Sequence, residues 1–164
     1  MTCTILSNET EKHWQCRNEH EQPYFALKLF LMQKIRQLYA DGYTDYYLNC
    51  EEGVPLWAGE IVCCLKEQEC TGMRLHVVIP YEEQCRDWTE ELRDRYYRVH
   101  EQADSVTQTG THPDEGCYLR AEGFMVQDSD LLLLFGNAQD DPRFAGYAGT
   151  YDLRVEYMDD RQFD

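Results

Sequence analysis

The sequence predicts a single α/β domain in three layers, a mainly parallel sheet flanked by helices. Three observations predict it. Short strand-like runs alternate along the chain with segments of helical period, the pattern of strand–helix–strand units. The run Leu131 to Phe135 is apolar without interruption, as a strand buried on both faces requires. The length of 164 residues, 43% of them hydrophobic, suits one core and one domain over 1–164.

The elements follow in order. Thr4-Ile5-Leu6 reads as a first strand and the polar stretch from Ser7 to Gln22 as a loop. Pro23 opens a helix to about Ala40, in which Leu27, Leu31, Ile35 and Leu38 share one face, and Asp41-Gly42 stops it. Tyr46-Tyr47-Leu48 is a second strand. The loop Asn49 to Gly53 leads into a helix with Pro55 in its first turn and Ala58, Ile61, Val62 and Leu65 facing inward. Leu75 to Ile79 is a strand ended by Pro80. The next helix carries Trp88, Leu92, Tyr96, Val99 and Ala103 at helical spacing. Ser105-Val106-Thr107 is a weak strand. A loop with Gly110, Pro113 and Gly116 precedes a helix from about Tyr118 to Val126, and the strand Leu131 to Phe135 follows. Beyond Gly136 the pattern is mixed, and Tyr151 to Met158 fits either a helix or an edge strand.

Composition excludes several classes of partner. With 31 acidic against 15 basic residues the net charge is −16, which repels nucleic acid and anionic membranes. No apolar stretch approaches the roughly 20 residues that span a bilayer. Met1 to Thr4 lacks the basic start and apolar run of a signal peptide, so a cytoplasmic location is expected. The 8 cysteines show no C-x-x-C pair and no zinc spacing, and they read as reduced, mostly buried thiols. Adjacent tyrosines at Tyr46-Tyr47 and Tyr96-Tyr97 read either as one core ring and one surface ring in each pair or as ordinary core at both places. Surface aromatics suit a homo-oligomer or protein partner.

Several phrases, taken in order, resemble the YpsA-like family of the SLOG superfamily. They are Thr2-Cys3, Gly53 through Ala58, Ile79-Pro80-Tyr81, Trp88 with Tyr96, Ala103-Asp104, Cys117 through Val126, Ser129-Asp130 and Gly149-Thr150. The resemblance implies a Rossmann-like fold and a site for a nucleotide or nucleotide-derived small molecule. It implies no particular reaction. The departures fall on that site. Where the family reads Thr-Gly-His-Arg after the first strand, this chain has Leu6-Ser7-Asn8-Glu9. Where it reads Ser-Gly and Gly-Val-Asp after the second, the chain has Leu48-Asn49 and Gly53-Val54-Pro55. An expected Arg-Asn is Ala121-Glu122, and a Gly-Gly-Thr is Ala148-Gly149-Thr150.

Phosphate binds where backbone N–H groups converge at a helix N-terminus, and glycine permits the close approach. Loss of glycine and exchange of Arg for Glu both oppose it. In a parallel sheet the ligand lies at the carboxyl ends of the strands. The candidate ligand-binding residues are therefore Ser7, Asn49, Gly53, Gly149 and Thr150, with ordinary helix-start and capping roles as the alternative for the glycines and Thr150. Glu9, Glu51 and Glu52 form an acidic rim that would suit a solvated surface, a divalent cation or general acid–base chemistry on a nucleoside derivative. Cys50 follows a strand, but its acidic neighbours oppose a thiolate nucleophile. His76 reads as a core or interface residue. No Walker A, H-E-x-x-H, G-x-S-x-G or dinucleotide fingerprint is present, and no cofactor or catalytic residue is assigned. The expected role is a non-enzymatic binding or interaction domain with a degenerate phosphate site. A sensor of a nucleotide-derived small molecule is the first alternative, and an enzyme acting on a nucleoside derivative the second.

Overall fold

The computed structural model of the protein describes residues 1–8, 22–136 and 142–158. Its elements are β1 (Thr2–Ser7), α1 (Gln22–Ala40), β2 (Asp45–Leu48), α2 (Val54–Gln68), β3 (Arg74–Ile79), α3 (Glu90–Gln102), β4 (Ser105–Gln108), α4 (Cys117–Val126), β5 (Leu131–Phe135), α5 (Pro142–Tyr151) and β6 (Arg154–Met158). The strands form one six-stranded sheet in the order β4-β3-β2-β1-β5-β6, and every pairing is parallel. The chain steps outward from β1 to β4, returns to the other side of β1 as β5, and steps outward again to β6. The three-layer expectation is met, with a sheet that is wholly rather than mainly parallel.

The layers follow from side-chain alternation along the strands. One face carries Ile5, Tyr46, Leu48, Val77, Leu133 and Phe135, packed against α1, α2 and α3 through Leu31, Ile35, Leu56, Val62, Tyr96 and Val99. The other carries Leu6, Val78, Leu132 and Leu134, packed against Ala121, Met125 and Val126 of α4. The apolar run 131–135 is buried along its whole length because each face meets a different helical layer.

Local chemistry sets the ends of the elements. α1 stops at Gly42 (φ +98°), where Gly42 N–H reaches Tyr39 O (3.0 Å) and Tyr43 N–H reaches Leu38 O (2.9 Å). This is the double closure that a left-handed glycine permits. α3 begins later than the helical spacing of Trp88 suggests. Thr89 Oγ1 accepts Leu92 N–H (3.3 Å) and caps the helix there, so Trp88 precedes it and meets Tyr96 edge-on at 5.5 Å; Ala103 is the C-cap. The ambiguous tail resolves into a helix to Tyr151 and a parallel edge strand from Arg154.

The amino edge of the sheet is sutured by side chains from phrases that carry the family resemblance. Asp130 Oδ2 accepts Thr2 N–H (2.7 Å), and Asp104 Oδ2 accepts Leu75 N–H (2.8 Å) and Lys66 Nζ (2.6 Å). Thr4 Oγ1 donates to Met125 O (3.1 Å) and lies 2.7 Å from Ser129 Oγ. These phrases are scaffold. Of the tyrosine pairs, Tyr46 and Tyr96 are core, Tyr47 is half-buried and Tyr97 is exposed. The described cysteines are free thiols, all buried except the half-buried Cys64. Cys16 lies outside the described residues.

Candidate functional site

β1 and β5 are neighbours, and the next described helices, α1 and α5, pack on opposite faces of the sheet. The crevice at the carboxyl edge between the two strands is where such a sheet receives a ligand. Asn8 stands there. Its N–H donates to Phe135 O (3.0 Å), it is buried, and its side chain packs against Gly136 so closely that a Cβ on Gly136 would overlap Asn8 Oδ1. Gly136 has φ +119°, and its own N–H reaches Met158 O (3.0 Å). The crevice mouth is thus filled by the Asn8 side chain.

The second wall is the loop from Asn49 to Gly53, and it is bonded to itself. Asn49 Oδ1 accepts Glu51 N–H (3.1 Å), and Asn49 O accepts Gln84 Nε2 (3.1 Å). Gln84 Oε1 in turn receives the Tyr96 hydroxyl (3.4 Å). Gly53 (φ +100°) is the N-cap of α2 and supplies no side-chain cap. Pro55 has no N–H to offer. Leu56 N–H is taken by Glu51 O (3.0 Å). The first turn of α2 therefore lacks two of the donors that would cradle a phosphate. Cys50 is fully buried with φ +52°. Burial, followed by the nearby Cys63 and Glu60, pushes its thiol well up, which removes it as a nucleophile.

Groups the sequence reading missed complete the rim. Tyr81, after β3, meets Tyr118, in the first turn of α4, edge-on at 6.2 Å. Burial raises the Tyr118 hydroxyl, and the negative charge of Glu51 raises it further. Arg120, the basic residue nearest Gly110, is held in a two-point contact by Asp114 (3.0 and 2.6 Å) and its charge is neutralised there. Aromatic residues just inside a helix start, on loops that follow two strands, were the available signal.

The structure brings Ser7, Asn49 and Gly53 to the carboxyl edge and takes Gly149 and Thr150 away from it. The latter are exposed in the last turn of α5, three residues or so before β6 begins at Arg154, which pairs with Leu131 at the start of β5. They therefore sit at the amino edge, at a helix C-terminus whose dipole opposes an anion. Ala121 is core, and Glu122 is buried with its carboxylate accepting the Tyr147 hydroxyl (2.9 Å), so this pair joins α4 to α5. Glu9 lies outside the described residues. Among the described residues no group of three or more His, Cys, Asp or Glu side chains could hold a metal ion, and no helix is long and apolar enough to cross a membrane.

A second polar cluster lies on the sheet face that α4 covers only in part. Asp45 on β2 receives His76 Nε2 of β3 (2.9 Å), Arg74 (2.8 Å) and the Thr44 hydroxyl (2.8 Å). His76 Nδ1 lies 2.8 Å from Ser105 Oγ of β4, and the Tyr47 ring stacks on the imidazole at 4.5 Å. Burial would raise the Asp45 carboxyl, but the bonds from Arg74, His76 and Thr44 outweigh it and hold it at about 2. A depressed folded value stabilises above the unfolded value of about 4 and is lost as pH falls through about 2. The gap corresponds to about 2 kcal/mol. Denaturation profiles of the protein and of Asp45→Asn are expected to converge between about pH 4 and pH 2. Profiles that stay parallel over that interval would refute the assignment.

These features define a Rossmann-like α/β domain whose crevice at the β1/β5 reversal is occupied by the Asn8 side chain. The chain belongs to the YpsA family: the family model described as "YspA SLOG family" matches residues 12–157. Among curated relatives, a UPF0398 protein of Halalkalibacterium halodurans is 34% identical over 110 residues, covering 66% of this chain and 58% of the relative. One from Lysinibacillus sphaericus is 28% identical over 110 residues, covering 66% of this chain and 61% of the relative. One from Staphylococcus aureus strain JH9 is 26% identical over 137 residues, covering 81% and 70%. The chain spans about three fifths of the length of the first two.

Proposed function

We propose that the chain is a binding or interaction domain whose ancestral phosphate site has degenerated, so that the carboxyl-edge crevice acts without catalysis and without nucleotide phosphate. The observation that carries this reading is the internal use of the donors: Leu56 N–H and Glu51 N–H are bonded within the loop, Pro55 has none, and Asn8 fills the space beside Gly136. The acidic balance of the chain adds a repulsive field around any phosphate. Interaction with a protein partner or a second copy is supported by Phe25 and Leu29, which are exposed one helical turn apart on α1.

The test is a thermal-shift screen with AMP, ADP-ribose, NAD, nucleosides and divalent cations. Ligand at 100 times its dissociation constant adds about 2.7 kcal/mol, or roughly 5–10 °C for a domain of this size. No shift is expected with millimolar nucleotides. A shift with AMP or NAD that Gly53→Val removes would overturn the reading.

The sensor reading is favoured by one observation, the Tyr81–Tyr118 pair at the rim, which offers a stacking surface without needing phosphate. It predicts a shift with an uncharged nucleoside that Tyr118→Ala abolishes.

A further inference from the structure

The cluster on β2, β3 and β4 is a hydroxyl, an imidazole and a carboxylate bonded in series. Asp45, held ionised, can only accept, so His76 Nε2 carries the proton between them (2.9 Å). With a single ring proton on Nε2, Nδ1 presents a lone pair 2.8 Å from Ser105 Oγ, placed to accept the serine O–H. The exposure runs in the useful direction. The side chains of Asp45 and His76 are each 16% exposed, whereas Ser105 is open to solvent on an edge strand. The Tyr47 ring stacked on the imidazole and the Arg74 and Thr44 bonds to Asp45 leave both positioning groups little freedom. Asp104 N–H points inward to Leu75 O (2.8 Å), so the alternation of a parallel edge strand turns Ser105 N–H outward, beside its own hydroxyl.

We propose that Ser105 is a base-activated nucleophile, with His76 as its general base and Asp45 as the positioning residue, and that this face takes small activated acyl esters from solvent. The site lies on the sheet face, apart from the carboxyl-edge crevice. Ser105 Oγ forms a bond to the acyl carbon as its proton passes to His76 Nδ1. The outward Ser105 N–H donates to the oxyanion. The ester C–O bond breaks, and the leaving alcohol takes the proton from Nδ1. Water then attacks the acyl-serine and gives a proton to Nδ1. The acyl–Oγ bond breaks, the acid departs, and Ser105 recovers its proton.

The test uses the full chain with a fluorophosphonate, which bonds to an activated serine with loss of fluoride, and with p-nitrophenyl acetate as substrate. One adduct is expected, at Ser105 by peptide mapping. Ser105→Ala, at an exposed position, leaves the melting temperature unchanged and abolishes the adduct. His76→Gln slows labelling about 100-fold or more, in the range of lost general-base catalysis. Asp45→Asn lowers kcat on the ester with KM unchanged, which a merely structural contact would not do. Labelling of Ser105 no faster than that of other exposed serines, or ester turnover that survives in Ser105→Ala, would overturn the proposal.

Discussion

Replacing Trp57 with alanine is expected to destabilise the domain by about 3–5 kcal/mol, whereas replacing it with phenylalanine is expected to cost less than about 1.5 kcal/mol. Trp57 sits in the first turn of α2 and is 2% exposed, with Tyr24 edge-on at 5.6 Å and Lys28 Nζ 4.8 Å from the ring centroid. Alanine removes the ring contacts and leaves a cavity between α1 and α2. Phenylalanine keeps a ring against Tyr24. It also has no hydrogen bond to lose, because the buried Trp57 Nε1 has no partner among the described residues. For a domain of this size the alanine change corresponds to roughly 6–20 °C in melting temperature. Chemical denaturation of the two variants decides it. A phenylalanine variant as unstable as the alanine one would mean that the indole N–H makes a bond worth keeping.

The second large effect is expected at Gly136. An alanine there must adopt φ +119° and must displace Asn8, whose Oδ1 occupies the place of the new methyl group. Backbone strain of this kind costs about 1–3 kcal/mol, and the steric overlap adds to it. The two contributions separate in a double-mutant cycle. Asn8→Ala in the Gly136→Ala background removes the overlap and leaves the backbone strain, so the pair is expected to be less unstable than the sum of the single variants by about 1 kcal/mol or more. Denaturant midpoints that simply add would show that Asn8 does not fill the crevice as described. The cycle therefore probes the same contact on which the functional reading rests.

The central strands were legible because burial leaves an apolar record, uninterrupted in Leu131 to Phe135 and broken only by half-buried His76 in Leu75 to Ile79. The tail was not. β6 is an edge strand with half-buried Val155 and Glu156 between exposed positions, a pattern that helix and strand share. That ambiguity hid the amino-edge position of Gly149 and Thr150, since the carboxyl-edge rule helps only when helix and loop are told apart. Ser7, Asn49 and Gly53 lie at the carboxyl edge because β1 ends at Ser7 and β2 at Leu48, within a residue of where their strand-like runs end in the sequence. Sequence can show that Asn49 replaces a family glycine, but not that Asn49 Oδ1 and Glu51 N–H bond to each other. The Asp45–His76–Ser105 series depends on register across three strands, with His76 and Ser105 29 positions apart, and no local motif encodes that.

The position of β5 also shapes how the chain is made. β1 can pair with β2 once Leu48 is available, yet its other side waits for Leu131 to Phe135. At a synthesis rate of about 5–20 residues per second, the intervening segment takes on the order of ten seconds to appear. Throughout that interval the nascent chain carries Cys3, Ile5 and Leu6 on a strand open along one side, a template for pairing with a neighbouring chain on the same polysome. Substitutions that delay β5 are therefore expected to lower soluble yield more than they lower the melting temperature of whatever protein does fold.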